Sequence, residues 1–122
     1  MILYTDGGCN KDGAYGSWAL FLDDGKCVAF INREKYPEVN TNNGAEYTAV
    51  LRGLGHCAKR GLDNITLYTD SKLVVNQVQG GWKINHEHLR ILREKVVEIM
   101  KNFHTIILQR VGRDKIVEKL GH

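Results

Sequence analysis

No apolar run in the sequence approaches the roughly 20 residues that a membrane-spanning helix needs. The first residues read as an alternating strand, where a secreted chain carries a basic and then apolar leader. Neither a membrane anchor nor export is expected, and the cytoplasm is the expected location. Proline occurs once, at Pro37, and no stretch is repetitive or low in complexity. Three cysteines, Cys9, Cys27 and Cys57, are odd in number and too widely spaced for a disulfide framework or a paired-cysteine zinc site, so reduced thiols are expected. Net charge is also scant: +3 over 122 residues does not by itself mark a nucleic-acid binder. Its distribution is uneven, with seven Lys/Arg against nine Asp/Glu up to Asp70 and ten against five after it. That basic second half is equally a set of solvated helix faces. What remains, 43% hydrophobic and 25% charged residues, is the composition of one soluble globular domain spanning residues 1–122.

Alternation from Met1 to Thr5 predicts a strand that ends at Asp6, before Gly7-Gly8. Two further strands are expected over about 15–22 and 26–32, joined at Asp23-Asp24-Gly25 by a tight turn. The polar stretch from Arg33 to Asn40 reads as a loop. With Asn42 or Asn43 as its cap, Glu46, Val50, Gly53, Leu54 and Cys57 recur at helical spacing up to Gly61, a natural left-handed terminator. Ile65 to Thr69 reads as a strand ending at Asp70, and Ser71 caps a helix stopped by Gly80-Gly81. Asn85 is expected to cap another helix along Leu89, Leu92, Val96 and Ile99, before a strand over 105–111 and a short helix from Asp114. The order predicts an α/β fold: a five-stranded mixed sheet with helices on both faces.

Asp6 and Asp70 close strands in matching Thr-Asp steps, so if those strands pair in parallel both carboxylates emerge at one sheet edge, where open sheets place ligands. Glu46 lies on the helix face that looks toward the sheet. Carboxylates forced together repel, and with no adjacent Lys or Arg such a cluster implies a cation. Mg²⁺ suits it, with its preference for oxygen ligands and retained waters, and two ions could activate a water and stabilise a leaving oxygen. Taken singly, each acid is more simply a turn residue, a first-turn helix acid or a helix neighbour.

The three ordered segments Tyr4-Thr5-Asp6-Gly7-Gly8-Cys9, Thr41-Asn42-Asn43-Gly44-Ala45-Glu46 and Tyr68-Thr69-Asp70-Ser71 resemble the signatures of the ribonuclease H type 1 family, and the element order resembles its fold over essentially the whole chain. The resemblance implies endonucleolytic hydrolysis of the RNA strand of RNA/DNA hybrids, giving 3′-hydroxyl and 5′-phosphate ends, with two Mg²⁺ ions (or Mn²⁺) on Asp6, Glu46 and Asp70; separately, a monomer is expected. It implies hybrid contacts at Asn42 and Asn43, a DNA-phosphate contact at Thr41, and approach of Gly7, Gly8 and Cys9 to the RNA strand, whose 2′-hydroxyl a glycine backbone can meet closely. Hydroxyls and amides at a helix start suit phosphate as well as capping. Only Gly-Trp-Lys-Ile stands where some members insert a basic helix and loop, so the chain resembles the compact forms. Trp82 and Lys83 remain as contacts to the DNA strand, with core packing as the other reading of Trp82.

The last signature departs from the pattern. The family's loop histidine is absent, and His122 and Arg113 are the residues that could stand in; His56, His86, His88 and His104 are expected to be structural or exposed. An ungapped alignment puts Leu120 at the fourth metal-binding acid, whereas a two-residue gap puts Glu118 there, and Glu118 is the expected fourth ligand, with an exposed helix acid as the other reading. Two other functions stay open: a catalytically weak hybrid-binding module, and a nuclease of the same fold acting on another nucleic-acid structure.

Overall fold

The computed structural model describes residues 1–121, so His122 lies outside the described residues. The chain runs β1 (Ile2–Asn10), β2 (Gly13–Phe21), β3 (Cys27–Lys35), α1 (Asn42–Lys59), β4 (Asn64–Thr69), α2 (Lys72–Val78), α3 (Glu87–Met100), β5 (Thr105–Arg110) and α4 (Arg113–Leu120). This is the element order the sequence predicts. The strands form one sheet in the order β3-β2-β1-β4-β5. The first three strands pair antiparallel, and β1–β4 and β4–β5 are parallel, so the sheet is mixed.

Helices cover both faces unequally. On one face Leu3, Trp18, Leu20, Ile65, Leu67 and Leu108 meet apolar residues of α1, α2 and α3, including Val50, Leu54, Val74, Leu89 and Val96. On the other, α4 alone seats Ile116 and Leu120 against Tyr4 and Ala19. Three free thiols at Cys9, Cys27 and Cys57 match the expectation of reduced cysteines.

Several boundaries differ from the sequence expectation, for physical reasons. β1 does not stop at Asp6: Gly7 and Gly8 keep their pairing with Gly16 and Tyr15, and the strand continues to Asn10. Gly7 is there for proximity. A Cβ on it would lie 2.3 Å from the backbone carbon and oxygen of Ala45, so only glycine lets β1 pass this close to α1. β3 likewise runs on to Lys35, into the segment expected as loop. Thr41, not Asn42 or Asn43, caps α1, its hydroxyl accepting from the Gly44 N–H at 3.0 Å. Glu46 therefore lies beyond the first turn. At the far end Gly61 is left-handed (φ 69°), as a helix terminator should be. Ser71 caps α2 as expected, whereas α3 starts at Glu87 with His86, not Asn85, in the cap position and no side-chain bond there.

Gly7→Ala is expected to destabilise the fold by about 3 kcal/mol or more, since the clash is with backbone and overpacking of a rigid contact is costly. Gly55→Ala, whose added Cβ would meet Ile99 Cδ1 at an ordinary 3.8 Å, should instead gain roughly 0.5–1 kcal/mol from helix propensity. Urea unfolding of the two variants reads both.

Candidate metal centre

β1 and β4 pair in parallel only over Ile2–Tyr4 with Thr66–Tyr68. β4 then stops at Thr69, while β1 continues. This leaves the Gly7 N–H facing a gap in the sheet, and Glu46 fills it from α1, its Oε1 accepting that N–H at 2.9 Å. Asp70, the first residue past β4, stands beside the same gap, and Asp6 lies two positions beyond Tyr4 on β1. Oxygen atoms of Asp6, Glu46 and Asp70 all lie within 4.8 Å of one another, and they are the group among the described residues that offers a metal three such ligands. The shared edge predicted from the two Thr-Asp steps is thus formed.

The electrostatics follow from crowding. Burial, reinforced by the Asp6 and Asp70 charges, pushes the Glu46 carboxyl up to about 9 against the pull of the Gly7 hydrogen bond. Asp6 is itself buried. The expectation that no cationic side chain adjoins the cluster is corrected by Arg113. Its Nη1 donates to Asp6 Oδ1 at 2.8 Å and to Asp70 Oδ2 at 3.1 Å. Burial pulls the Arg113 pKa down, but the bonds to the two carboxylates more than offset it and the net shift is upward. The guanidinium stands where a cation would bridge the same two acids. Sequence periodicity contained the signal: Arg113 sits three residues before Ile116 on the face that buries Ile116 and Leu120.

The donor set fits a hard divalent ion. Three carboxylates supply oxygen ligands only, as Mg²⁺ and Mn²⁺ prefer, and they converge with their oxygens within 4.8 Å of one another. Asp6, Glu46 and Asp70 would hold the ion, and Arg113 would have to leave two of them. Glu118, the expected fourth ligand, is not among the carboxylates brought within 4.8 Å of one another. With Ile116 and Leu120 setting the buried face of α4, position 118 falls on the opposite, exposed side.

The other expected contacts surround the cluster. The Cys9 N–H donates to Asn42 Oδ1 at 2.7 Å, tying β1 to the start of α1. Thr41 spends its hydroxyl on the cap and lies 3.4 Å from His88 Nε2. Asn43 is exposed beside it. Trp82 is 50% exposed, which removes the core-packing reading, and Lys83 is exposed next to it. Their loop is fixed from below: Asn76 O accepts from the Gly81 and Trp82 N–H groups, and buried Gln77 accepts from Tyr47 Oη while its amide donates to Lys83 O.

Known proteins place this arrangement. A family model described as "Reverse transcriptase-like" matches residues 4–117. Ribonuclease HI of Halobacterium salinarum is 35% identical over 116 residues, an alignment covering 90% of this chain and 55% of that protein. The chain thus spans about half the length of that curated relative. The crystal structure of RNase H1 from the same halophilic archaeon superposes with a TM-score of 0.89 at 32% identity, covering 98% of this chain and 90% of that one. An LC11-RNase H1 crystallised with an RNA/DNA hybrid shares the fold at a TM-score of 0.83 and 24% identity, over 97% of this chain and 89% of that one. Fold and acid cluster together are those of a ribonuclease H-like domain. The chain belongs to the ribonuclease H type 1 family.

Two predictions follow from the charge balance. An acid whose pKa is higher in the folded than in the unfolded state weakens folding progressively as pH rises from its ordinary value near 4.5 towards about 9. Glu46→Gln should therefore melt higher than the parent in EDTA at neutral pH, by at least about 4 °C, the equivalent of about 1 kcal/mol. Arg113→Gln should remove a competitor for Asp6 and Asp70, shifting the Mg²⁺ midpoint in isothermal titration to lower concentration.

Proposed function

We propose that this chain hydrolyses the RNA strand of RNA/DNA hybrids, leaving 3′-hydroxyl and 5′-phosphate ends, with two divalent ions, Mg²⁺ or Mn²⁺, held by Asp6, Glu46 and Asp70. The observation that carries the reading is the convergence of those three acids at the open edge of a ribonuclease H fold. When bound, the ions would polarise the scissile phosphate and acidify the attacking water. Water adds to phosphorus as the bond to the 3′-oxygen breaks, which leaves the phosphate on the 5′ side of the next nucleotide. The bound hybrid in the LC11-RNase H1 structure supports the substrate class.

The chain's own residues set the strand register in this proposal. Gly7, Gly8 and Cys9 run along the cluster as extended backbone, close enough for a ribose 2′-hydroxyl to be read. Asn42 and Asn43 open α1 next to them and offer amides to the hybrid, while Thr41 offers a hydroxyl to a DNA phosphate. Trp82 and Lys83 present an aromatic face and a cation to the DNA strand. The cytoplasmic location and monomeric state expected from the sequence belong to the same proposal.

A second reading, hybrid binding with little cleavage, draws support from the Arg113 bridge, which already occupies two of the acids. A labelled hybrid incubated with Mg²⁺ or Mn²⁺ separates the two readings. Cleavage that Asp70→Asn abolishes supports the first, salt-sensitive binding without cleavage supports the second, and an unbound, uncut hybrid contradicts both. Competition by duplex DNA or duplex RNA at equal strength would point to a different substrate. Glu118→Gln should leave the Mg²⁺ dependence of cleavage unchanged.

A further inference from the structure

The sheet face that carries Asp6 continues past the acids and Gly8 to residues with no part in the site described so far. Leu3 and Gly7 of β1 lie against α1, so Asp6, Gly8 and Asn10 point to the opposite side. Directly opposed residues of antiparallel strands share a face. Ser17 therefore accompanies Asp6, Tyr15 accompanies Gly8, and Lys35 accompanies Tyr15. The position of the Tyr15 hydroxyl, 3.0 Å from where a Gly8 Cβ would stand, agrees. At this end of the sheet Asn10, Asp12, Gly13, Ala14, Tyr15, Arg33 and Lys35 line an open cavity of about 350 Å³, in the size range of a small-ligand cleft.

Its floor is built with effort. Arg33 is the non-glycine residue with positive φ, at 53°, a conformation that a side chain with a Cβ disfavours. Fully buried Ser17 holds it there: Ser17 Oγ accepts the Arg33 N–H at 2.9 Å and donates to Asn32 Oδ1 at 3.3 Å, across a bulge between β2 and β3. The result is that the Arg33 guanidinium lies over the Tyr15 ring, its carbon 4.1 Å from the centroid. Among the described residues no salt bridge takes up Arg33 or Lys35. Left-handed backbone maintained by a buried hydrogen bond, with an arginine set over an aromatic ring at a cavity wall, is the kind of stored geometry found at functional sites.

An aromatic–guanidinium pair beside Lys35 is a surface for the face of an unpaired nucleobase and its phosphate. A paired base hides its faces in the helical stack, so a regular hybrid offers this pocket nothing to stack. Position assigns the strand. Two residues along β1 is about 7 Å, the axial span of about two base pairs, and the backbone in between is the Gly7-Gly8 segment that the proposed function sets against RNA.

We propose that the Tyr15–Arg33 pocket binds an unpaired nucleotide of the RNA strand where that strand leaves the hybrid, so that the domain favours hybrids ending in a single-stranded RNA tail. This rests on the reading of the chain as a hybrid nuclease and adds a substrate preference to it. Asp12 in the lining disfavours a phosphate beside it and offers acceptor oxygens to a base amino group.

The test is fluorescence anisotropy in EDTA with a blunt hybrid, the same hybrid bearing a short RNA tail at its 5′ or its 3′ end, and one bearing a DNA tail. The parent chain should bind one RNA-tailed form at least about fivefold more tightly than the blunt one, with no gain from the DNA tail. Tyr15→Ala and Arg33→Gly should reduce that ratio to near one. Glycine is at ease at the left-handed position, so Arg33→Gly should keep its melting temperature and report loss of the guanidinium alone. Equal affinity for blunt and RNA-tailed hybrids, an equal gain from the DNA tail, or a preference that survives Arg33→Gly would overturn the inference. Failure to bind or cut even the blunt hybrid contradicts the proposed function itself.

Discussion

Three carboxylates crowd where β4 stops and β1 runs on, and the neighbourhood of the site is arranged around the repulsion among them. One answer to that repulsion is a proton, which burial and the two aspartates favour on Glu46. Another is Arg113, brought in by α4 on the less covered face of the sheet, which bridges Asp6 and Asp70 and offsets one of their two charges. Divalent cations are a third answer and would replace the other two, because they would supply the positive charge that all three acids lack. Metal loading is thus an exchange of charges within the site.

That exchange fits the way the surrounding elements are held. Glu46 is rigidly placed: α1 is buried along much of its length, and Gly7 allows β1 to run directly beneath it. Arg113 stands on a helix of eight residues seated through Ile116 and Leu120, and about half of its side chain is exposed. The ligands are fixed and the competitor is poised at the surface, so the guanidinium can leave without disturbing the core. The same division recurs at the other end of the sheet face, where buried Ser17 fixes the backbone and the exposed Arg33 head group rests on Tyr15.

The sequence was most legible where a pattern repeats. Alternation and helical periodicity gave every element in order, and matching Thr-Asp steps put Asp6 and Asp70 at one edge, which the parallel β1–β4 pairing realises. Legibility failed where a residue's role depends on a distant partner. Gly7 and Gly8 look like a turn, but their pairing with Gly16 and Tyr15 keeps them in the strand, and the Ala45 backbone, far along the chain, explains why position 7 must be glycine. Thr41 won the cap over two asparagines because its hydroxyl reaches the Gly44 N–H. Glu118 was placed by aligning a motif, whereas the direction it faces is set by Ile116 and Leu120, which turn Arg113 toward the acids and position 118 away. The left-handed Arg33 left no local trace, since no sequence rule anticipates a bulge held by a buried serine.

The central claim is that Asp6, Glu46 and Asp70 form one cation site whose place Arg113 shares. A crystal of the protein soaked in Mn²⁺ and measured for anomalous scattering tests it directly. The account predicts a Mn²⁺ peak in contact with oxygens of all three acids and the Arg113 guanidinium displaced from Asp6 and Asp70. A soaked crystal without a peak among these carboxylates, and with Arg113 still bridging the two aspartates, would contradict it.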